Sequence, residues 1–203
     1  MIGAGFGEPY GLAVDAAGNV FVADTGNNAV KEIPYSAGTY GIPVVIDITP
    51  VVENVGCYDP AAVALDAAGN LFVSCTAIVK VPYSAGAFGT PLEISDSGVF
   101  FAPAGIAINS TGDVFVPGEE IPYLDGSYGS AVQIAGYSAG YGLAMDATGN
   151  IYYANGTVYE IPYGNYNTSV AIGSNAPGYT VAVNNANGRL YSISVGTIWM
   201  FEP

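Results

Sequence analysis

Five stretches of this 203-residue chain carry one pattern, and that repetition constrains the fold more than anything else in the sequence. The first is Gly11-Leu-Ala-Val-Asp15-Ala-Ala-Gly-Asn-Val20-Phe-Val, and the second Ala62-Val-Ala-Leu-Asp66-Ala-Ala-Gly-Asn-Leu71-Phe-Val. Gly105-Ile-Ala-Ile-Asn109-Ser-Thr-Gly-Asp-Val114-Phe-Val and Gly142-Leu-Ala-Met-Asp146-Ala-Thr-Gly-Asn-Ile151-Tyr-Tyr follow. The fifth, Tyr179-Thr-Val-Ala-Val-Asn184-Asn-Ala-Asn-Gly-Arg-Leu190-Tyr, has one extra residue in its turn. The acidic or amide anchors at 15, 66, 109, 146 and 184 are 51, 43, 37 and 38 residues apart. Self-similarity at this period means one supersecondary unit used repeatedly, each copy too small to bury its apolar face alone.

Each unit reads as four short strands. Strand a is a run of small apolar residues ending in Asp or Asn. A turn follows with Gly18, Gly69, Gly112, Gly149 or Gly188, where glycine tolerates positive φ and the Asp/Asn side chain bonds the turn amides. Strand b is rich in Val, Phe and Tyr. Strand c ends in a second signature: Ile33-Pro-Tyr35, Val81-Pro-Tyr83, Ile121-Pro-Tyr123 and Ile161-Pro-Tyr163, where proline stops ladder pairing. Strand d is the most variable, over Pro43 to Ile48, Pro91 to Ser95, Ala131 to Ala135 and Thr168 to Ile172. No stretch has capped helical periodicity, so an all-β chain with almost no helix is expected.

The period fits the roughly 40–45 residues of a four-stranded propeller blade. The run Pro9-Tyr-Gly-Leu-Ala-Val-Asp-Ala-Ala-Gly-Asn-Val-Phe-Val-Ala-Asp-Thr-Gly-Asn-Asn-Ala-Val30 resembles an NHL repeat. The resemblance covers nearly the whole chain and implies an all-β β-propeller of five four-stranded blades, a blade type usually met in six-bladed propellers. Later copies depart from it. Only the first keeps the loop from Asp24 to Asn28, with Ala29 where such repeats carry a basic residue; copies three and four shorten the loop to Pro117-Gly-Glu-Glu and Asn155-Gly. The expected organisation is a single domain, with units at 9–54, 55–101, 102–138, 139–175 and 176–203.

Charge excludes whole classes of partner. Three basic residues (Lys31, Lys80, Arg189) stand against seventeen acidic ones, for a net charge of −14. A polyanion needs Lys and Arg to displace its counterions, so nucleic acid is excluded as a partner, and anionic membrane surfaces are disfavoured for the same reason. No apolar run approaches the ~20 residues of a membrane helix. There is no histidine, which removes His-based acid–base chemistry, Ser-His-Asp triads and ordinary zinc sites. On these grounds the expectation is that the chain is not an enzyme. A metal-dependent lactonase- or lyase-like propeller relying on carboxylates is the catalytic alternative.

Five sets of candidate residues emerge. Asp15, Asp66, Asn109, Asp146 and Asn184 could form a Ca²⁺ site of hard oxygen ligands, but hairpin capping explains every copy without metal. Asp24, Asn27 and Asn28 form a second candidate cation site. Cys57 lies just before strand a of the second unit and Cys75 ends its strand b, so a disulfide, with an oxidising compartment, is the favoured reading over two half-buried thiols. The tyrosines at 35, 83, 123 and 163 could stack on sugars, although packing between neighbouring blades is the commoner use of a repeated Pro-Tyr.

The fifth set is at the ends. The fifth unit stops after Ile198, Trp199 and Phe201 without a strand d, and Met1 and Ile2 match only the tail of one. A fragment of a longer repeat protein accounts for this; an edge completed by another molecule is the sharper alternative. Met1 to Gly5 lack the charged start and apolar stretch of a secretory leader. The composition, poor in Lys and rich in Gly, Ala, Asn and Tyr, suggests a secreted or cell-surface bacterial protein. The functional expectation is a non-catalytic scaffold for self-association, including head-to-tail filaments, or protein interaction. The alternative is a glycan- or small-molecule-binding propeller. No cofactor other than Ca²⁺ is expected.

Overall fold

The computed structural model describes residues 2–49, 56–95, 105–134, 142–173, 180–194 and 196–202. Met1, Tyr179, the end of the third strand d at Ala135 and the unit boundaries at 54/55, 101/102, 138/139 and 175/176 lie outside them.

Five antiparallel blade sheets follow one another along the chain, four built in strand order a-b-c-d and the fifth in order a-b-c. The first comprises Pro9–Val14, Val20–Asp24, Ala29–Ile33 and Val44–Ile46. The second comprises Ala62–Leu65, Leu71–Ser74, Ile78–Val81 and Leu92–Ser95. The third is shorter: Ala107–Ile108, Val114–Val116, Glu119–Ile121 and Val132–Gln133. The fourth contains Gly142–Met145, Ile151–Ala154, Val158–Ile161 and Val170–Gly173, and the fifth Thr180–Asn184, Arg189–Ser194 and Thr197–Phe201. The only helical element among the described residues is one 3₁₀ turn at Thr25–Asn27. This is an all-β fold of five propeller blades, four of them four-stranded.

The chain divides into two compact units, Met1–Ile106 with the first two blades and Ala107–Pro203 with the last three. Within each unit consecutive blades meet along their a strands. Two glycines show how closely. A Cβ on Gly11 would lie 2.6 Å from the Ala61 carbonyl oxygen, and one on Gly142 would lie 2.5 Å from Thr180 Cα. Only glycine permits that approach of two backbones.

In the first three blades the run that opens strand b is apolar on both faces. Val20–Ala23, Leu71–Val73 and Val114–Val116 are buried throughout, which is why they read as continuous Val/Phe/Leu runs with no polar alternation. In the first unit Phe21, Ala23, Val30 and Ile46 of blade one join Leu71, Val73 and Val79 of blade two in one core. In the second, Phe115 packs with Ile151, Tyr153 and Ile161, and Ala154 and Val158 pack with Val181 and Leu190.

A feature absent from the four-strand expectation separates strands c and d. Tyr35–Ser36 pairs with Thr39–Tyr40, Tyr83–Ser84 with Ala87–Phe88, and Tyr123–Leu124 with Ser127–Tyr128, each a two-stranded hairpin. Their central residues, Ala37-Gly38, Ala85-Gly86 and Asp125-Gly126, all have positive φ, the backbone of a type I′ turn. Each excursion closes with a glycine amide donating to the proline carbonyl, as Gly41 does to Pro34 at 2.7 Å. The fourth blade has no such hairpin; residues 163–164 and 166–167 are turns.

Candidate functional site: the a–b turns and the cleft of the second unit

The a–b turns of the first four blades are each held by one carboxylate and one side-chain amide. Asp15 Oδ1 accepts the amides of Ala17 (2.9 Å) and Asn19 (2.8 Å), and its Oδ2 accepts Asn19 Nδ2 (2.8 Å). Asn19 Oδ1 in turn accepts the Tyr35 amide (2.7 Å), tying the turn to the end of strand c. Asp66, Asn70 and Tyr83 repeat this arrangement, as do Asp146, Asn150 and Tyr163. In the third blade the partners exchange positions: Asn109 stands at the anchor and Asp113 takes the Tyr123 amide (2.7 Å). Asn184 holds only the Ala186 amide, its turn being one residue longer.

The five anchors therefore spend their oxygens on their own turns. Asp146 receives five hydrogen bonds, from Thr148 (amide and hydroxyl), Asn150 (amide and side chain) and the Tyr152 hydroxyl. Burial alone would raise its pKa, but the Thr148 and Asn150 bonds hold its carboxyl below the usual carboxylate range. Asp113 is lowered in the same way, by Thr111, Tyr123 and Asn109 against burial. The Tyr152 hydroxyl is pushed up to about 12 by burial and by the negative charges of Asp146 and Glu160. Among the described residues no group of three or more Asp, Glu or Cys side chains is arranged to hold a metal ion.

The second cation candidate is occupied by protein groups. Asp24 is fully buried and pairs with Lys31, while its carboxylate also accepts the Gly7 amide (2.6 Å) and Asn27 Nδ2 (2.8 Å). Burial would raise its pKa; Lys31, Asn27 and Gly7 lower it. Asn28 Oδ1 accepts the Asp59 amide. The cation for Asp24 thus comes from strand c, two residues beyond Ala29.

The repeated tyrosines make contacts within their own blades. Each ring lies on the glycine of its own turn: a Cβ on Gly18 would meet Tyr35 Cδ1 at 3.0 Å, on Gly69 it would meet Tyr83 at 3.2 Å, and on Gly112 it would meet Tyr123 at 3.1 Å. The hairpin supplies a second aromatic to three of them, Tyr35–Tyr40 (4.8 Å), Tyr83–Phe88 (5.0 Å) and Tyr123–Tyr128 (4.8 Å).

Inside the second unit the successive a–b turns enclose a cleft of about 370 Å³. Its polar lining is Asn109, Ser110, Asp146, Thr148 and Asn185, with Tyr163 as its aromatic wall. Sequence reading identified Asn109 and Asp146 but missed Ser110, Thr148 and Asn185. The available signal was their offset of one or two residues from the repeated anchor.

The remaining candidates divide. Cys57 and Cys75 are joined in a disulfide with Cα atoms 5.3 Å apart. Ile198 is exposed, whereas Trp199 Nε1 donates to Ser194 Oγ (3.3 Å) and Phe201 packs against the core of the fourth and fifth blades. Ile2 lines a shallow depression with Tyr40, Ile42 and Pro43.

Blade topology, turn chemistry and period together define a β-propeller fold. The NHL-repeat family profile matches residues 6–33, the first blade with its buried Asp24–Lys31 pair. A search of curated proteins returns no match. Among solved structures the chain is similar to a gluconolactonase from Xanthomonas campestris (TM-score 0.71, 16% identity, covering 95% of this chain and 71% of that one). It is also similar to virginiamycin B lyase from Staphylococcus aureus (TM-score 0.66, 13% identity, 96% of this chain and 69% of that one). A third similar structure is from a nidogen/laminin complex (TM-score 0.65, 15% identity, 96% of this chain and 80% of that one).

These matches correct one expectation. The chain was expected not to be an enzyme, yet two of these three similar structures are of enzymes. The fold is therefore one that carries catalysis, and missing histidine excludes particular mechanisms without excluding enzymes as a class.

Proposed function

We propose that this chain is a ligand-handling propeller that takes a small, neutral, polar molecule into the cleft of its second unit. The carrying observation is the cleft itself, whose volume of about 370 Å³ falls within the roughly 300–1,000 Å³ usual for small-ligand sites. Its lining offers hydroxyls and amides but no Lys or Arg, and the net charge of −14 repels anions. The similarity to a gluconolactonase and a lyase supports extending the reading to turnover. A catalytically inactive form of the lyase carries a histidine-to-alanine change, so a chain without histidine needs other groups, and carboxylates and tyrosines are what it has. An extracytoplasmic location is part of the proposal, supported by the Cys57–Cys75 bond.

The test is a thermal-shift and calorimetric screen of neutral small molecules, including lactones followed for ring opening. Ser110→Trp, which fills the cleft, serves as the control. Binding lost in that variant supports the reading; binding that survives it, or no binding at all, overturns it.

A second reading, protein association, rests on one face of the first blade. Tyr10, Leu12 and Val14 alternate along its strand a and are 74%, 70% and 57% exposed. The likeness to a nidogen/laminin structure supports it. Light scattering of wild type against Leu12→Glu tests it, a fall in mass with the charged variant being the expected result and equal masses the contrary one.

A further inference from the structure

Tyr163 departs from its counterparts. It is 58% exposed, against 38% for Tyr35 and 40% for Tyr83. The cause lies in the chain that follows it. Copies one to three continue into a hairpin that returns an aromatic five residues later. Copy four reads Gly164-Asn-Tyr-Asn, with no Ala-Gly or Asp-Gly pair to build the I′ turn. Its nearest aromatic, Tyr166, turns instead toward Phe115 (5.2 Å) and meets Tyr163 only edge-on at 6.4 Å. One face of Tyr163 rests on Gly149, where a Cβ would lie 2.7 Å from the ring. The ring, more than half exposed, also lines the cleft.

An exposed aromatic ring beside hydroxyls and amides has a specific chemical complement. We infer that the cleft binds a neutral saccharide, with Tyr163 as the stacking platform for the C–H face of a sugar ring and Ser110, Thr148 and Asn185 bonding its hydroxyls. This rests on the ligand-handling reading and names its ligand class. A phenol ring is apolar on its face and polar at its tip, which suits a ligand with one apolar face and a polar rim. The only charged group in the lining, Asp146, is already saturated by five hydrogen bonds from its own turn. That leaves the cleft no strong preference for a cation. A purely apolar ligand would leave the amide of Asn185 facing it without a partner from the ligand.

The experiment uses the whole chain. Neutral oligosaccharides on an array, then by calorimetry, are compared with non-sugar lactones of similar size, for wild type and for Tyr163→Ala, Tyr163→Trp and Tyr123→Ala. Tyr123 occupies the equivalent position in the third blade but is covered by Tyr128 and lies outside the cleft. Circular dichroism and melting confirm that each variant folds. The expected result is saccharide binding weakened at least tenfold by Tyr163→Ala, kept by Tyr163→Trp and unchanged by Tyr123→Ala. Saccharide binding indifferent to Tyr163→Ala overturns the inference. Lactones that bind where saccharides do not overturn it while leaving the ligand-handling reading standing; binding of neither overturns both.

Discussion

Asn109 donates from Nδ2 to Asp113 Oδ2 at 2.8 Å, reversing the arrangement in which Asp15 accepts from Asn19 at the same distance. Both orders leave one carboxylate and one amide in the turn. The constraint is thus on the pair and not on either position. The exchange predicts that Asn109→Asp, which sets two carboxylates against each other, and Asp113→Asn, which leaves none, each destabilise the protein. Losing charge-assisted bonds of this kind costs about 1–3 kcal/mol. The double variant Asn109→Asp/Asp113→Asn recreates the order of the other blades and recovers most of that loss. Urea denaturation of the three variants measures it.

The turn glycines are fixed twice over. Gly18 and Gly149 have φ of +92°, and each lies under a tyrosine ring. Gly18→Ala and Gly149→Ala combine left-handed strain with a displaced ring, and each lowers stability by more than about 1 kcal/mol. Gly38→Ala, where a Cβ meets nothing within 4 Å, pays only the backbone part. Melting temperatures should rank the turn variants below it.

Acid sensitivity follows from depressed carboxyls. Asp113, Asp146 and Asp24 have folded pKa values below their unfolded ones. Their contribution is fully present above the unfolded value of about 3.9 and is lost as pH falls through the folded values. Stability should hold from neutrality to about pH 5 and then fall, with Asp146→Asn flattening the fall.

Glu120 behaves oppositely. Burial first, then the charge of Asp113, raises its pKa. Its favourable contribution is present below about pH 4.3, the unfolded value, and is lost as pH rises through the folded value. Glu120→Gln should therefore raise the melting temperature at pH 7, with the gain shrinking by pH 4. Equal gains at both pH values would contradict the assignment.

The Cys57–Cys75 bond closes a loop across 18 residues of sequence. On chain-entropy grounds such a loop stabilises by roughly 3 kcal/mol. Reduction, or the double change Cys57→Ser/Cys75→Ser, should lower the midpoint of unfolding accordingly.

Much of the fold was legible because its causes are local. Strands a and b and the glycine turns follow from short apolar runs, β-branched and aromatic residues and a turn of Asp or Asn with Gly, and the structure places them where the repeat does. The c–d hairpins were missed, though Asp125-Gly126 is a strong turn signal, because Ala37-Gly38 and Ala85-Gly86 place alanine where asparagine or aspartate is usual. Lys31 as the partner of Asp24 was missed because the pairing crosses from one strand to the next. The cleft was not legible at all. It depends on the distance between successive turns and on a hairpin that copy four lacks, and neither is a property of one repeat.

The central question is whether that cleft holds a ligand. Amide chemical-shift mapping of the ¹⁵N-labelled whole chain, titrated with the tightest neutral saccharide found, tests it most directly. Perturbations concentrated on Ser110, Thr148, Gly149, Tyr163 and Asn185 are the predicted result. A saturable titration whose shifts fall on other turns, or no shift at millimolar saccharide, would contradict it.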